Sequence, residues 1–304
     1  MVDDFSNEIK QLLRHVTPER KEELESLLEG VTFDANVDGY GFDYSVLPTW
    51  RLVRIPIRCQ FRLWAHCFAY YTAFDAFAKQ KNGITLNRQA IPDDAISSAE
   101  KLLEWAVKAD VSVWRAKRQG NEFFVSEIPE EFPVQFEDES MSVLKKASDE
   151  IFVYAMASSI HHELAHMRLG HREEKDEQSI QEEYDADEAA ASWILGSPMV
   201  SEYDYLIRHL GIAIKFIWYT SIFFSEKHQS TTHPPSWRRL FKSLEPTVRR
   251  ELDPIWGFII IALTLHFQRF GIALHCLSSF EPSKSTVKEM IEIIEKHNNQ
   301  IGQA

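Results

Sequence analysis

An α+β fold dominated by helix, with a small sheet confined to the N-terminal part, is what this sequence of 304 residues predicts. Three observations carry that reading. The 11 Gly and 12 Pro make up about 8% of the chain, against roughly 12% in average proteins. Few residues are therefore available to interrupt helices. Apolar side chains recur at three- and four-residue spacings through most of the chain. Residues 31–57 differ: Gly39 and Gly41 lie between short β-prone runs, and the run from Trp50 to Ile57 partly alternates.

The elements follow in order. Phe5, Ile9, Leu12, Leu13 and Val16, then Leu24, Leu27 and Leu28, predict helix over 5–29 with a break near Pro18. Two or three strands are expected in 31–57. Residues 61–78 and 98–118 lack Gly and Pro and carry apolar stripes, so both are helices. Residues 121–127 form a short strand candidate, and 128–140, with Pro129, Pro133 and many carboxylates, is loop chemistry. A helix is expected from Val143 to Gly170 and another from Gln178 to Leu195, stopped by Gly196 and Pro198. Helices over 202–226, 236–250, 255–277 and 284–297 complete the chain. No internal repeat or linker stands out, so a single domain over 1–304 is expected. It comprises an N-terminal helical segment (1–30), a strand-containing part (31–127) and a helical part (143–304).

Composition excludes several classes. With 33 Lys+Arg against 46 Asp+Glu, the net charge of −13 argues against nucleic-acid binding through a broad basic face. A hydrophobic fraction of 44% with 20 Phe and 8 Trp rules out global disorder. Cys59, Cys67 and Cys276 are odd in number and form no CxxC pair, so reduced, buried thiols in a cytoplasmic protein are expected. The N-terminus shows no signal-peptide pattern. The apolar run from Ile212 to Phe224 is broken by Lys215, and that from Ile255 to Leu265 meets His266, Gln268 and Arg269. Neither reaches the roughly 20 apolar residues of a spanning helix, so no membrane span is expected.

The chemistry concentrates in His161-His162-Glu163-Leu164-Ala165-His166, which contains HExxH. On a helix, residues four apart share a face. His162 and His166 can then reach one Zn²⁺, with Glu163 beside the open coordination position as base for an attacking water. The bare motif also arises by chance, so a third ligand must decide.

Glu183 lies 17 residues beyond His166, enough for a turn and a returning helix. Asp187 falls on the same helical face and could accept the free N–H of a ligating imidazole. The competing reading is a solvated acidic face, since 9 of the 16 residues from Glu173 to Glu188 are acidic. Ala186, Ala189, Ala190, Trp193 and Ile194 nonetheless give this helix a packing side. His171 competes as third ligand, but Gly170 and His171 fall four and five residues after His166. The metzincin pattern needs three and six. His171 is expected at the helix C-terminus, where an imidazole suits the dipole. His161 faces away from His162. Thr232-His233-Pro234-Pro235 opens another helix, and His233 in the cleft could act on an oxyanion.

HExxH followed by a helix with Glu183, Ala186 and Asp187 resembles the gluzincin metallopeptidases. The His-Pro-Pro segment with Arg239 six residues after His233 resembles the HtpX-like branch. Size, the short gap before Glu183 and the strand-bearing first third are similar to the Lit-type phage-exclusion peptidases. That resemblance implies a zincin-like catalytic core. It implies His162, His166 and Glu183 as ligands of one Zn²⁺ per chain, Glu163 as general base, and roles for His233 and Arg239. It also implies a protein substrate, a translation elongation factor, cleaved in the cytoplasm during phage infection.

A substrate segment would lie extended along an edge strand, for which Phe123–Ser126 is the candidate. A protease aimed at an essential protein needs restraint, so an activating peptide or phage factor is expected as a further partner. Two rival readings stand beside this one. The first is a membrane-associated HtpX-like quality-control peptidase. The second is a non-catalytic zinc-containing protein that inhibits translation by contact, through Trp114–Arg118 or Trp237–Arg239.

Overall fold

A computed structural model describes residues 2–35, 44–82, 93–119, 139–171, 179–196, 201–223, 233–272, 274 and 282–303. Helices α1 (Val2–Val16) and α2 (Lys21–Leu28) are separated by a 3-10 turn that begins at Pro18. The proline has no N–H to continue α1 and is tolerated at the first position of a new turn. Three short strands follow: β1 (Thr32–Asp34), β2 (Ser45–Leu47) and β3 (Leu52–Arg54). The central strand is β3, parallel to β1 and antiparallel to β2, with Phe33 and Val46 both in register with Val53. Residues 121–127, including the proposed edge strand Phe123–Ser126, lie outside the described residues.

The remaining elements are helical: α3 (Ile57–Asn82), α4 (Asp93–Gln119), α5 (Glu139–Leu169), α6 (Ser179–Leu195), α7 (Glu202–Phe223), α8 (Ser236–Leu244), α9 (Pro254–Gln268) and α10 (Lys284–Gln303). This is the helix-rich α+β architecture expected, although α3, α4, α5 and α10 run beyond their expected ends and two other helices stop short. The helix expected over 236–250 stops at Leu244, two residues before Pro246. The helix expected over 255–277 begins at Pro254, where Asp253 accepts a hydrogen bond from the Ile255 N–H, and ends at Gln268. There the N–H groups of Gly271 and Ile272 return to Gln268 and Phe267, with Gly271 at a φ of +74°. A glycine in this left-handed position is a common helix terminator.

Helix α5 packs against α3, α6 and α7, and α7 also meets α8 and α9. The sheet rests on α1 and α5. One connected apolar core runs from Leu13 in α1 to Ile294 in α10, with Trp218 and Trp256 fully buried. Among the described residues no helix is long and apolar enough to cross a membrane.

Glycine sets a close contact between α5 and α7. A Cβ on Gly211 would lie 2.5 Å from Tyr154 Cβ and 2.9 Å from the Ala155 nitrogen. Only a residue without a side chain lets α7 approach α5 this closely. One turn further along both helices, Lys215 meets Ser158. The approach therefore places α7 directly behind the helix that carries HExxH.

Candidate metal centre

Helix α5 presents His162 and His166 on one face, as the four-residue spacing requires. Helix α6 returns alongside and brings Glu183 to them. His162 Nε2 is 3.1 Å from His166 Nε2. Glu183 Oε2 is 3.4 Å from His162 Nε2, and Oε1 is 3.6 Å from His166 Nε2. The three ligand atoms all lie within 4.8 Å of one another.

The outer nitrogen of each ring faces a neighbouring side chain. His166 Nδ1 is 2.8 Å from His171 Nδ1. That contact follows from the end of α5. The N–H groups of Gly170 and His171 bond back to the Met167 and His166 carbonyls, and Gly170 has a φ of +70°. This paired return is the Schellman motif, and it folds His171 onto His166. His162 Nδ1 is 3.0 Å from Asp187 Oδ1, although its N–H is not aimed along that line. If each Nδ1 carries the ring proton, both Nε2 atoms present lone pairs. The 3.1 Å contact between them is then no hydrogen bond, and a cation is what would reconcile it.

The donor set fits zinc. Tetrahedral bonds of about 2.0–2.1 Å place ligand atoms roughly 3.3 Å apart. The two Nε2 atoms are 3.1 Å apart, and the two Glu183 oxygens lie 3.4 and 3.6 Å from one of them each. Glu183 Oε2 is also buried without an aligned hydrogen-bond partner.

Behind the ligands lies a compact charge cluster. Arg239 Nε and Nη2 reach Asp187 at 2.6 and 2.9 Å, and Nη2 is 3.0 Å from Glu183 Oε2. Lys215 Nζ is 3.5 Å from Asp187 Oδ1. Asp187, Arg239 and Lys215 are almost wholly buried. Burial alone would raise the Asp187 pKa, but Arg239, Lys215 and His162 hold it well below the usual carboxylate range. Glu183 is lowered against burial by Arg239, His162 and His233.

The two ligating imidazoles diverge. Burial and then the His162 ring push His166 down to about 3. For His162, burial and Lys215 are outweighed by Asp187 and Glu183, and the net shift is upward. Burial draws the Lys215 ammonium down to about 8.

The other residues singled out in the sequence fall into place around this centre. Glu163 is buried beside His162. His233 Nε2 lies 3.3 Å from Glu183 Oε1, with about a quarter of its side chain exposed at 28%. It is thus a partly solvent-exposed imidazole beside Glu183. His161 points away and stacks on Trp193, with ring centroids 5.0 Å apart. His171 backs His166, a contact the sequence foreshadowed only through Gly170 at the helix end. Lys215, in the sequence only a break in an apolar run, belongs to this cluster. The acidic stretch of α6 does not act as one face: Glu183 and Asp187 turn inward, whereas Glu188 is exposed.

Comparison with known proteins adds a family match. The family described as Peptidase U49 matches residues 54–259, a span that holds all the site residues above. A protein of Escherichia coli (strain K12) named cell death peptidase is 24% identical over 216 residues, covering 70% of this chain and 69% of that protein. No solved structure matches.

Proposed function

The chain belongs to the peptidase U49 family, the Lit-type family that the motifs resemble, and we propose that it is a zinc-dependent endopeptidase acting in the cytoplasm. The observation that supports this reading is the convergence of His162 Nε2, His166 Nε2 and a Glu183 oxygen within 4.8 Å of one another, a donor set that suits zinc. Zinc, when bound, supplies the Lewis acid that makes water nucleophilic near neutral pH.

The protein's own groups do the rest. His162, His166 and Glu183 would hold the ion, with Asp187 and His171 facing the outer nitrogens of the two imidazoles. Glu163 takes the proton of the attacking water and passes it to the leaving amine. His233, at the exposed side of Glu183, donates to the developing oxyanion of the scissile carbonyl. Arg239 holds Glu183 and Asp187 in the carboxylate form. The substrate is a protein. By family resemblance, we take limited cleavage of a translation elongation factor during phage exclusion as the specific activity.

Glu163→Gln tests the chemistry. It should retain one zinc per chain by elemental analysis and lose peptide hydrolysis by about 10²–10⁴-fold. Turnover equal to the unaltered protein would remove Glu163 as base. The substrate is tested in infected cells by mass spectrometry of new protein termini, comparing the active chain with Glu163→Gln. New termini absent from the elongation factor would redirect the assignment to another protein.

A further inference from the structure

We infer that Lys215 is a positioning residue for the metal ligand His162. It acts through two groups that both support that imidazole: the Asp187 carboxylate and the Ser158 carbonyl.

Lys215 is conspicuous by its surroundings. It is 0% exposed on α7, with Ile212, Ile214, Phe216, Ile217 and Trp218 buried around it. Burying an ammonium is costly unless its partners repay it. A methionine of similar shape would pack there without that cost. Neutralising Asp187 does not explain the lysine, because Arg239 already supplies two short hydrogen bonds to that carboxylate.

The geometry supplies another reason. Lys215 Nζ lies 3.5 Å from the Ser158 carbonyl oxygen and 3.5 Å from Asp187 Oδ1. In α5 the Ser158 carbonyl accepts the backbone N–H of His162, four residues on. Asp187 Oδ1 is 3.0 Å from the ring Nδ1 of the same histidine. One ammonium therefore bridges the group that anchors the His162 backbone and the group that faces its ring. The close approach at Gly211, one turn earlier, brings α7 near enough for this reach. Arg239 lies in α8 and grips Asp187 and Glu183. Lys215 instead ties Asp187 of α6 to the backbone of α5, which fixes the ring relative to its own helix.

The inference rests on the zinc-site reading. Its test is zinc affinity, measured with zinc alone by competition against a chromophoric chelator, on the full chain and on Lys215→Met. The variant should bind zinc at least tenfold more weakly, within the 10–100-fold range for removing a group that orients a ligand. The metal-free variant should melt no lower than the metal-free parent, since an apolar replacement of a buried ion is often neutral or stabilising. A purely packing role would lower that melting temperature and leave zinc affinity alone. A purely electrostatic role would tighten zinc binding by removing a repelling cation.

In an Asp187→Asn background the effect of Lys215→Met should shrink, because the two residues act on one ring. Unchanged or tighter zinc binding by folded Lys215→Met overturns the inference, as does an undiminished effect in that background. If Lys215→Met does not fold, Lys215→Gln takes its place with the same expectation. Failure of both to fold also overturns it, since the lysine would then be a determinant of the fold. A parent protein that binds no zinc would overturn the metal-site reading itself, a separate result.

Discussion

Arg239 grips Asp187 with two hydrogen bonds, Nε to Oδ2 at 2.6 Å and Nη2 to Oδ1 at 2.9 Å, while Nη2 also lies 3.0 Å from Glu183 Oε2. One guanidinium thereby spans a candidate metal ligand and the carboxylate that backs another. Because Arg239 sits on α8, it also joins the segment beginning at His233 to the two helices that carry the ligands. The planar fork suits this task, whereas an ammonium cannot reproduce two parallel bonds. Charge balance follows the same logic: Glu163, Glu183 and Asp187 are buried together, and Arg239 and Lys215 offset part of their repulsion before any metal binds.

Arg239→Met should therefore destabilise the protein by about 3–5 kcal/mol in urea unfolding, the cost of leaving buried charges unpaired. Arg239→Lys should recover less than half of that loss, because it restores charge without the fork. An Arg239→Met variant within about 1 kcal/mol of the parent would show that water replaces the guanidinium at this site.

Glu183→Ala should lower zinc content well below one equivalent, whereas Glu188→Ala on the exposed side of the same helix should leave it unchanged. Removing zinc with a chelator should also lower the unfolding temperature of the parent. A ligand at a hundred times its dissociation constant stabilises the folded state by about 2.7 kcal/mol. The chelator should move Glu183→Ala much less. Equal zinc content in both alanine variants would take Glu183 out of the site.

What the sequence disclosed about this centre followed from helical periodicity. His162 with His166, and Glu183 with Asp187, are each four residues apart, and that spacing alone places each pair on one face. The meeting of the two faces depended only on a short return between helices. Lys215 was hidden because its partners, Ser158 and Asp187, come from other helices. Within its own segment it is a charge in an apolar run. His171 was half visible: Gly170 marked the helix end, but the fold-back onto His166 is a backbone consequence of a left-handed glycine. The ends of α8 and α9 are hard to read from periodicity because apolar residues continue past Pro246 and Gly271, whereas the chain obeys those breakers.

Gly211→Ala probes how α7 is held against α5. The added methyl would lie 2.5 Å from Tyr154 Cβ and 2.9 Å from the Ala155 nitrogen. Neither atom is the far end of a flexible side chain, so the helices must separate. Overpacking of this kind costs about 1–3 kcal/mol, read as a lower urea midpoint. Zinc affinity should fall as well, since Lys215 lies one turn away and would withdraw from Ser158 and Asp187. A variant as stable as the parent would show that α7 shifts without resistance.

Acid should expose a different buried group. His161 is 3% exposed, stacked on Trp193, and its Nε2 has no hydrogen-bond partner. Burial first, then the positive charges of Arg20, Arg168 and Lys215, push its pKa from 6.5 to about 3. In the unfolded chain the same imidazole titrates near 6.5. Between these values the unfolded state binds more protons than the folded one, so stability must rise with pH across the window. Read downward, the stabilisation present above pH 6.5 is lost progressively toward pH 3. From pH 7.5 to pH 5 this one group should cost about 2 kcal/mol, with 1.4 kcal/mol per pH unit as the limiting slope. His161→Phe keeps an aromatic face for Trp193 and removes the titration. Urea unfolding of the metal-free proteins at both pH values should show the variant losing about 2 kcal/mol less than the parent. Metal-free protein is the right comparison because zinc release at low pH would add its own acid sensitivity. An identical pH dependence in the two proteins would mean that His161 becomes protonated inside the fold, with Trp193 moving to admit water.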